Sequence, residues 1–261
     1  MPGLESHKRW FDAFVDGFRH GDPEDLRNVQ LKHEHSLQVL AIAERIAASA
    51  APDSRLHRLC LVAALYHDCG RFPQYVTYRT FNDTESINHG ELGARVLRGH
   101  PEALEGLDSE GRRLVLGTVF LHNRKSVPTM LPEPLRHMLR VVRDSDKLDI
   151  MRVMLEHFDP DKPKNPVATL RLIDDPDRYT PTILDAAMRR VTPDYGQMRW
   201  LNDFKLLLLA WSFDLSFAAS REVFRERGYL EQLASVLPKR PEFEALLRLV
   251  QTYLNNGDGS R

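Results

Sequence analysis

The chain has 261 residues, with 36 Lys plus Arg against 37 Asp plus Glu and a net charge of −1. That length holds one large domain, or one domain with a helical extension, and is enough to bury a real core. The balanced charge excludes the basic footprint of a protein that tracks a nucleic-acid backbone over an extended surface. Two cysteines, Cys60 and Cys69, provide no disulfide framework and fit a reducing compartment. The start "MPGLESHKRW" has no apolar core of signal-peptide length, and the longest apolar run, Leu206 to Trp211, is too short for a bilayer. The expectation is a soluble, cytoplasmic protein with no membrane partner. The sequence leaves its oligomeric state open.

Helical periodicity dominates from the first third onward. From His35 to Ala47, apolar residues at Val39, Ile42, Ala43 and Ile46 form a 3.6-period stripe, and His35 lies on the same face. From Leu56 to Asp68 the pattern is apolar nearly all round, as in a buried helix. "YVTYRTFNDTESIN" has turn formers and no long period, and is expected to be a loop. His89 to Arg98 resumes a helix with Asn88 as its cap. Further helices are expected over Ser109–His122 and Pro134–Glu156, separated by the proline-punctuated "NRKSVPTMLPEP". "FDPDKPKNP" breaks the chain, and "ATLRLIDDPDRYTP" reads as a strand pair or a loop. Helices over Met198–Ala219, Ser220–Leu237 and Pro241–Asn255 complete an all-α chain.

The informative stretch is "AALYHDCGRFPQY", where an apolar helix stops at His67-Asp68. His35, His67, Asp68, His89, His122 and Asp146 lie at helix ends or on buried faces. In "RDSDKLD" two carboxylates compete. Asp146 follows Val142 by four residues and Leu139 by seven, on the apolar face, whereas Asp144 is about 200° away on the wheel and is expected to face elsewhere. Asp149 shares the Asp146 face and is placed to support it. Imidazole and carboxylate ligate Zn, Mn, Fe, Co or Ni, and helical bundles build such sites in their cores. Several inward carboxylates are costly unless a cation accompanies them.

These residues, in this order, resemble the HD superfamily of metal-dependent phosphohydrolases. Its signature is a His, a His-Asp pair and a distant Asp, matched by His35, His67-Asp68 and Asp146. The resemblance covers roughly residues 30–155, and "HDCGRFPQ" is similar to an HDxGRFPQ-type motif of a bacterial branch. It implies an HD-domain helical bundle with additional C-terminal helices. Residues 1–29 would form an N-terminal helical segment, 30–155 the metal-binding core, and 156–261 an extension packed on it. Binuclear members add two histidines between the HD pair and the last Asp. His89 and His122 sit where those would fall. One or two divalent ions are implied (Mn, Fe, Ni, Co or Zn, with Mg also able to serve). The first would be held by His35, His67, Asp68 and Asp146. The second would be held by His89, His122 and a bridging Asp68. In a one-ion site, His89 and His122 would contact a substrate phosphate instead.

The implied activity is hydrolysis of a phosphate ester or phosphoanhydride of a small molecule such as a nucleotide, by metal-activated water. Arg71, four residues after His67, carries a planar fork suited to phosphate. It is paired with Asp68 as a catalytic candidate. Lys32, Arg124 and Lys147 are further substrate-binding candidates, with Lys125 beside them. In HD enzymes resembling nucleoside monophosphatases or alarmone hydrolases, a glutamate commonly occupies the Arg71 position, so this chain departs from them. Two other classes stand beside the hydrolase: an HD-fold di-iron oxygenase using the same six ligands, and a non-catalytic HD binding module. The remaining histidines (His7, His20, His33, His57, His100, His137 and His157) read as surface or supporting residues. Trp200, Phe204, Trp211 and Phe213 read as core.

Overall fold

The structure, a computed structural model, describes residues 3–51, 53–125, 127–128, 130–159, 161–162 and 164–256. The helices in chain order are α1 (Leu4–Asp16), α2 (Pro23–Ala50), α3 (Ser54–Tyr66), α4 (Arg71–Tyr78), α5 (His89–Gly99), α6 (Ser109–Leu121), α7 (Glu133–Phe158), α8 (Pro181–Met188), α9 (Leu201–Trp211), α10 (Ala218–Glu226), α11 (Tyr229–Val236) and α12 (Pro241–Asn256). Among the described residues, strand-like pairing is limited to one isolated bridge between Ile173 and Trp200. The all-α reading holds, and "ATLRLIDDPDRYTP" forms no strand pair. The chain gathers into two compact units, Met1–Asp149 and Ile150–Arg261.

In the first unit, α2 starts on a strong signal. The Asp22 carboxylate accepts from the backbone N–H groups of Glu24 and Asp25, and Pro23 occupies the first helical position. The stripe of Val39, Ile42, Ala43 and Ile46 is buried, with His35 among it. Helix α3 is the centre of the unit: Leu59 through Tyr66 are all buried, and it touches α1, α2 and α6. Each fully buried Leu or Val side chain there contributes about 1.5–3 kcal/mol. Helix α5 is capped by the Asn88 side chain, which accepts from Glu91 N–H, as its sequence suggests.

The expected loop after Tyr75 begins later than predicted, because α4 occupies Arg71–Tyr78. Pro73 is harmless there, since it falls in the first helical turn, where backbone N–H groups have no intrahelical acceptor. Arg79, at φ 54°, ends the helix. Gly70 also plays a different part from a simple swivel. Its backbone is ordinary right-handed helical, at φ −69°. What requires glycine is crowding: a Cβ there would lie 2.2 Å from the His89 carbonyl oxygen and 2.5 Å from the Gly93 nitrogen. The HD turn is thus pressed backbone to backbone against α5, and Cys69 fills the same contact, its thiol facing the Gly93 carbonyl at 3.6 Å.

In the second unit, α9 is buried along its whole length and touches α8, α11 and α12. The expected helix over 198–219 is interrupted. The Ser212 hydroxyl donates back to the Leu209 carbonyl, the chain passes through a 3-10 turn at Ser212–Asp214, and helix resumes at Ala218. Gly228, at φ +60°, separates α10 from α11. Asp203 accepts from Thr180 N–H and hydroxyl and from the N–H groups of Arg199 and Trp200. Lys205 donates to Asn202 Oδ1 and to the Val236 carbonyl that ends α11. These are structural tasks within the second unit. Phe204, Trp211 and Phe213 are core, as read, whereas Trp200 is only half-buried.

Two outcomes follow. Gly70→Ala should destabilise the first unit by about 1–3 kcal/mol through overpacking against backbone atoms, read by denaturant unfolding. Burial lowers the Lys205 pKa from 10.5 to about 8. The unfolded chain therefore binds more protons between those values, and stability should rise as pH climbs through that window. Lys205→Met should remove this component of the pH dependence.

Candidate metal centre

The six predicted ligands come from five helices of the first unit. His35 lies within α2, His67 caps the end of α3 with Asp68 next to it, and His89 opens α5. His122 caps the end of α6, and Asp146 lies on α7. All six meet. His35 Nε2 is 3.3 Å from His67 Nε2 and 3.0 Å from Asp146 Oδ1, and His67 Nε2 is 3.6 Å from that oxygen. His89 Nε2 is 3.1 Å from His122 Nε2. Asp68 stands between the two groups. Its Oδ2 lies 3.6 Å from His35 Nε2 and 3.7 Å from His67 Nε2. Its Oδ1 lies 3.3 Å from His89 Nε2 and 3.9 Å from His122 Nε2.

The opposite nitrogens explain why every ring points the same way. His67 Nδ1 is 2.7 Å from the Ala64 carbonyl, and His122 Nδ1 is 2.7 Å from the Val119 carbonyl. A carbonyl only accepts, so both rings carry their proton on Nδ1. The last carbonyls of a helix lack intrahelical donors, which is why a histidine just past the helix end serves this purpose. His35 Nδ1 is 2.7 Å from Asp149 Oδ2, and His89 Nδ1 is 2.7 Å from Asp83 Oδ2; these carboxylates accept in the same way. Four Nε2 atoms thus face the two oxygens of Asp68.

That arrangement fits divalent ions. Imidazole nitrogens about 2.0–2.1 Å from one ion stand about 2.9 Å apart at a right angle and about 3.4 Å apart at a tetrahedral angle. The two Nε2 pairs, at 3.3 and 3.1 Å, fall in that interval. Two groups have donor atoms all within 4.8 Å of one another: His35, His67 and Asp146, and His67, Asp68 and His122.

The electrostatics agree with the geometry. Burial pushes the Asp68 carboxyl up, but the charges of Lys32, His67, Arg71 and His89 outweigh it and hold it well below the usual range. Burial likewise opposes ionisation of Asp146, and hydrogen bonds from His35 and His67 overcome it. Burial, then the neighbouring His89 and His67, lowers His122 to about 3. Burial and the Arg71 charge lower His89. Both shifts favour the neutral ring that a metal ligand needs. Burial and Lys32 press His35 down, yet its hydrogen bonds to Asp146 and Asp149 lift it above its ordinary value.

Cations line the same place. Lys32 Nζ is 2.8 Å from Asp68 Oδ2. Arg71 Nη1 donates to Gln74 Oε1, the Phe81 carbonyl and Asp83 Oδ1, while its buried Nε, with no hydrogen-bond partner, lies 3.5 Å from Asp68 Oδ1. The Phe81 ring lies beneath both cations, 5.2 Å from Lys32 Nζ and 5.9 Å from the Arg71 guanidinium carbon. Arg124 is engaged elsewhere, facing Glu91 and the Phe120 ring. Lys147 is buried on α7 rather than presented as a surface cation. Asp144 is buried too, but Asp146 is the residue that meets His35 and His67. His7, expected at the surface or in support, is instead a core residue bonded to Tyr66 and Ala103.

Sequence reasoning missed Asp83. It lies in a stretch with no periodicity, and the signal available was an acidic residue six positions before His89.

This all-helical unit brings histidines and aspartates from α2, α5, α7 and the ends of α3 and α6 into groups that could hold a metal ion. Residues 33–151 match the family model for the HD domain. As a family, HD domains are those of metal-dependent phosphohydrolases that bind divalent ions. No curated protein and no solved structure is significantly similar to the chain. No helix among the described residues is long and apolar enough to cross a membrane.

Asp149→Asn turns the acceptor facing His35 Nδ1 into an amide that can present N–H instead. The affinity for an ion at the His35, His67 and Asp146 position should fall about 10–100-fold, measured by Mn(II) titration calorimetry.

Proposed function

We propose that the chain is a two-metal phosphohydrolase acting on a small phosphate ester or phosphoanhydride, of the nucleotide class. One observation carries this reading: four imidazoles, each with Nδ1 engaged, turn Nε2 toward opposite oxygens of one buried carboxylate. His35, His67, Asp68 and Asp146 would hold one ion, and His89, His122 and Asp68 the other. The catalytic core is assigned to residues 30–155, with 1–29 and 156–261 as flanking segments.

When bound, the ions supply a Lewis acid for a phosphoryl oxygen and a water of lowered pKa. The chain's own residues do the rest. Asp68 holds the two positions side by side. Each carboxylate oxygen has two lone pairs, so Oδ2 can keep Lys32 while serving a ligand position. Arg71 is anchored by Nη1 and leaves its Nε edge toward Asp68, where a planar donor can meet two phosphoryl oxygens. Lys32 adds a second positive charge, so negative charge developing on a transferring phosphoryl group meets fixed cations. Phe81 holds the two cations in place from below.

The test is metal content by mass spectrometry on gently purified protein, followed by a Mn(II)-supported screen of phosphomonoesters, phosphodiesters and nucleotides. About two ions per chain, falling to about one in His89→Ala, with hydrolysis slowed about 100-fold in Arg71→Ala, is the expected result. Arg71→Lys should not restore the rate, because a lysine cannot be anchored at one end and donate from the other. A single ion indifferent to His89→Ala would remove the second position. Two irons with consumption of dioxygen would favour the oxygenase, and a metal-free protein that cannot be reloaded would favour a binding module.

A further inference from the structure

Asp83 is a half-buried carboxylate on the 3-10 turn between α4 and α5, and it has an unusual set of partners. Its Oδ1 accepts from Arg71 Nη1 at 2.9 Å, Gln74 Nε2 at 2.9 Å and His89 Nδ1 at 2.8 Å. Its Oδ2 accepts from His89 Nδ1 at 2.7 Å and Asn123 Nδ2 at 2.8 Å. Those donors come from α4, from α5 and from the residue after the His122 cap. The turn itself is pinned by Gln74, which also donates to Ser86 Oγ and the Ile87 carbonyl.

A carboxylate needed only to staple the turn would be satisfied by Gln74 and Arg71. Asp83 also takes the Nδ1 proton of His89, whose other nitrogen faces Asp68 and His122. It takes the Nη1 end of Arg71, whose Nε faces the same Asp68 oxygen. One side chain therefore sets the direction of a ring and of a guanidinium that converge on Asp68 Oδ1.

We infer that Asp83 is a positioning residue that ties the second ion position to the phosphate-binding arginine. This rests on the two-ion reading above. Losing Asp83 would release the orientation of His89 and the anchor of Arg71 together, while the His35 and His67 position, oriented by Asp149 and Ala64, keeps its support.

The experiment is Mn(II) titration of the full chain by calorimetry and electron paramagnetic resonance, then inorganic phosphate titration at saturating Mn(II). The wild type should bind two ions with an exchange-coupled signal. Asp83→Asn should weaken the second ion about 10–100-fold, leave the first unchanged and abolish the coupled signal at limiting metal. With both positions filled, phosphate affinity should fall about tenfold, and adding Arg71→Ala to Asp83→Asn should cost less than Arg71→Ala does alone. Asn123→Ala removes a single donor to Asp83, and should give a smaller loss in the same direction even where Asp83→Asn fails to fold. Second-ion and phosphate affinities at wild-type values, or equal loss of both ions, would overturn the proposal. A wild type that binds one ion would overturn the two-ion reading itself, and the proposal with it, a result visible before any variant is compared.

Discussion

The centre depends on a constraint placed on the nitrogens that face away from it. An imidazole has two nitrogens, and a neutral ring leaves a lone pair on one of them. His67 and His122 commit Nδ1 to carbonyls three residues back, and His35 and His89 commit it to carboxylates. Once those four bonds are made, Nε2 has one orientation in each ring, and the rings converge. The scaffold is what makes the bonds possible. Two of the histidines stand where a helix has run out of donors for its last carbonyls. A third is held by a residue one helical turn along from Asp146, and the fourth by a loop that Gln74 fastens down.

The backbone crowding at Gly70 belongs to the same design. His89 must stand within reach of Asp68, although Asp68 lies in the turn after α3 and His89 opens α5, with α4 and a loop between them. The HD turn and the start of α5 approach until there is no room for a methyl group. The distance from His89 Nε2 to Asp68 Oδ1, 3.3 Å, follows from backbone contact more than from side-chain reach. Such rigid support suits a site where small displacements cost binding.

The candidate ligands were legible because each is a polar residue where an apolar pattern expects none, or at a helix boundary. His35 lies on the stripe of α2, and Asp146 and Asp149 share a face of α7. His67 and His122 end apolar runs. Asp83 carries no such mark, since its partners come from three elements that only the folded chain brings together. Arg71 was visible as a cation near the ligands, but its division into an anchored end and an open edge was not. Helices α4 and α8 were hidden by proline and by short length, and the break after Trp211 by a serine that bonds back to its own helix. Arg124 shows the limit of proximity in sequence: two residues from His122, it faces Glu91 instead.

The separation between His35 and Asp146 is 111 residues. A chain emerging from the ribosome at about 5–20 residues per second offers its elements in order, and α7 comes last among those that build the centre. Until then the first five candidate ligands lack Asp146, and His35 lacks Asp149, the acceptor at its Nδ1. During that interval the chain holds His35 without either of the α7 carboxylates that bond its ring. The final long helix of the first unit closes the centre in time as well as in space.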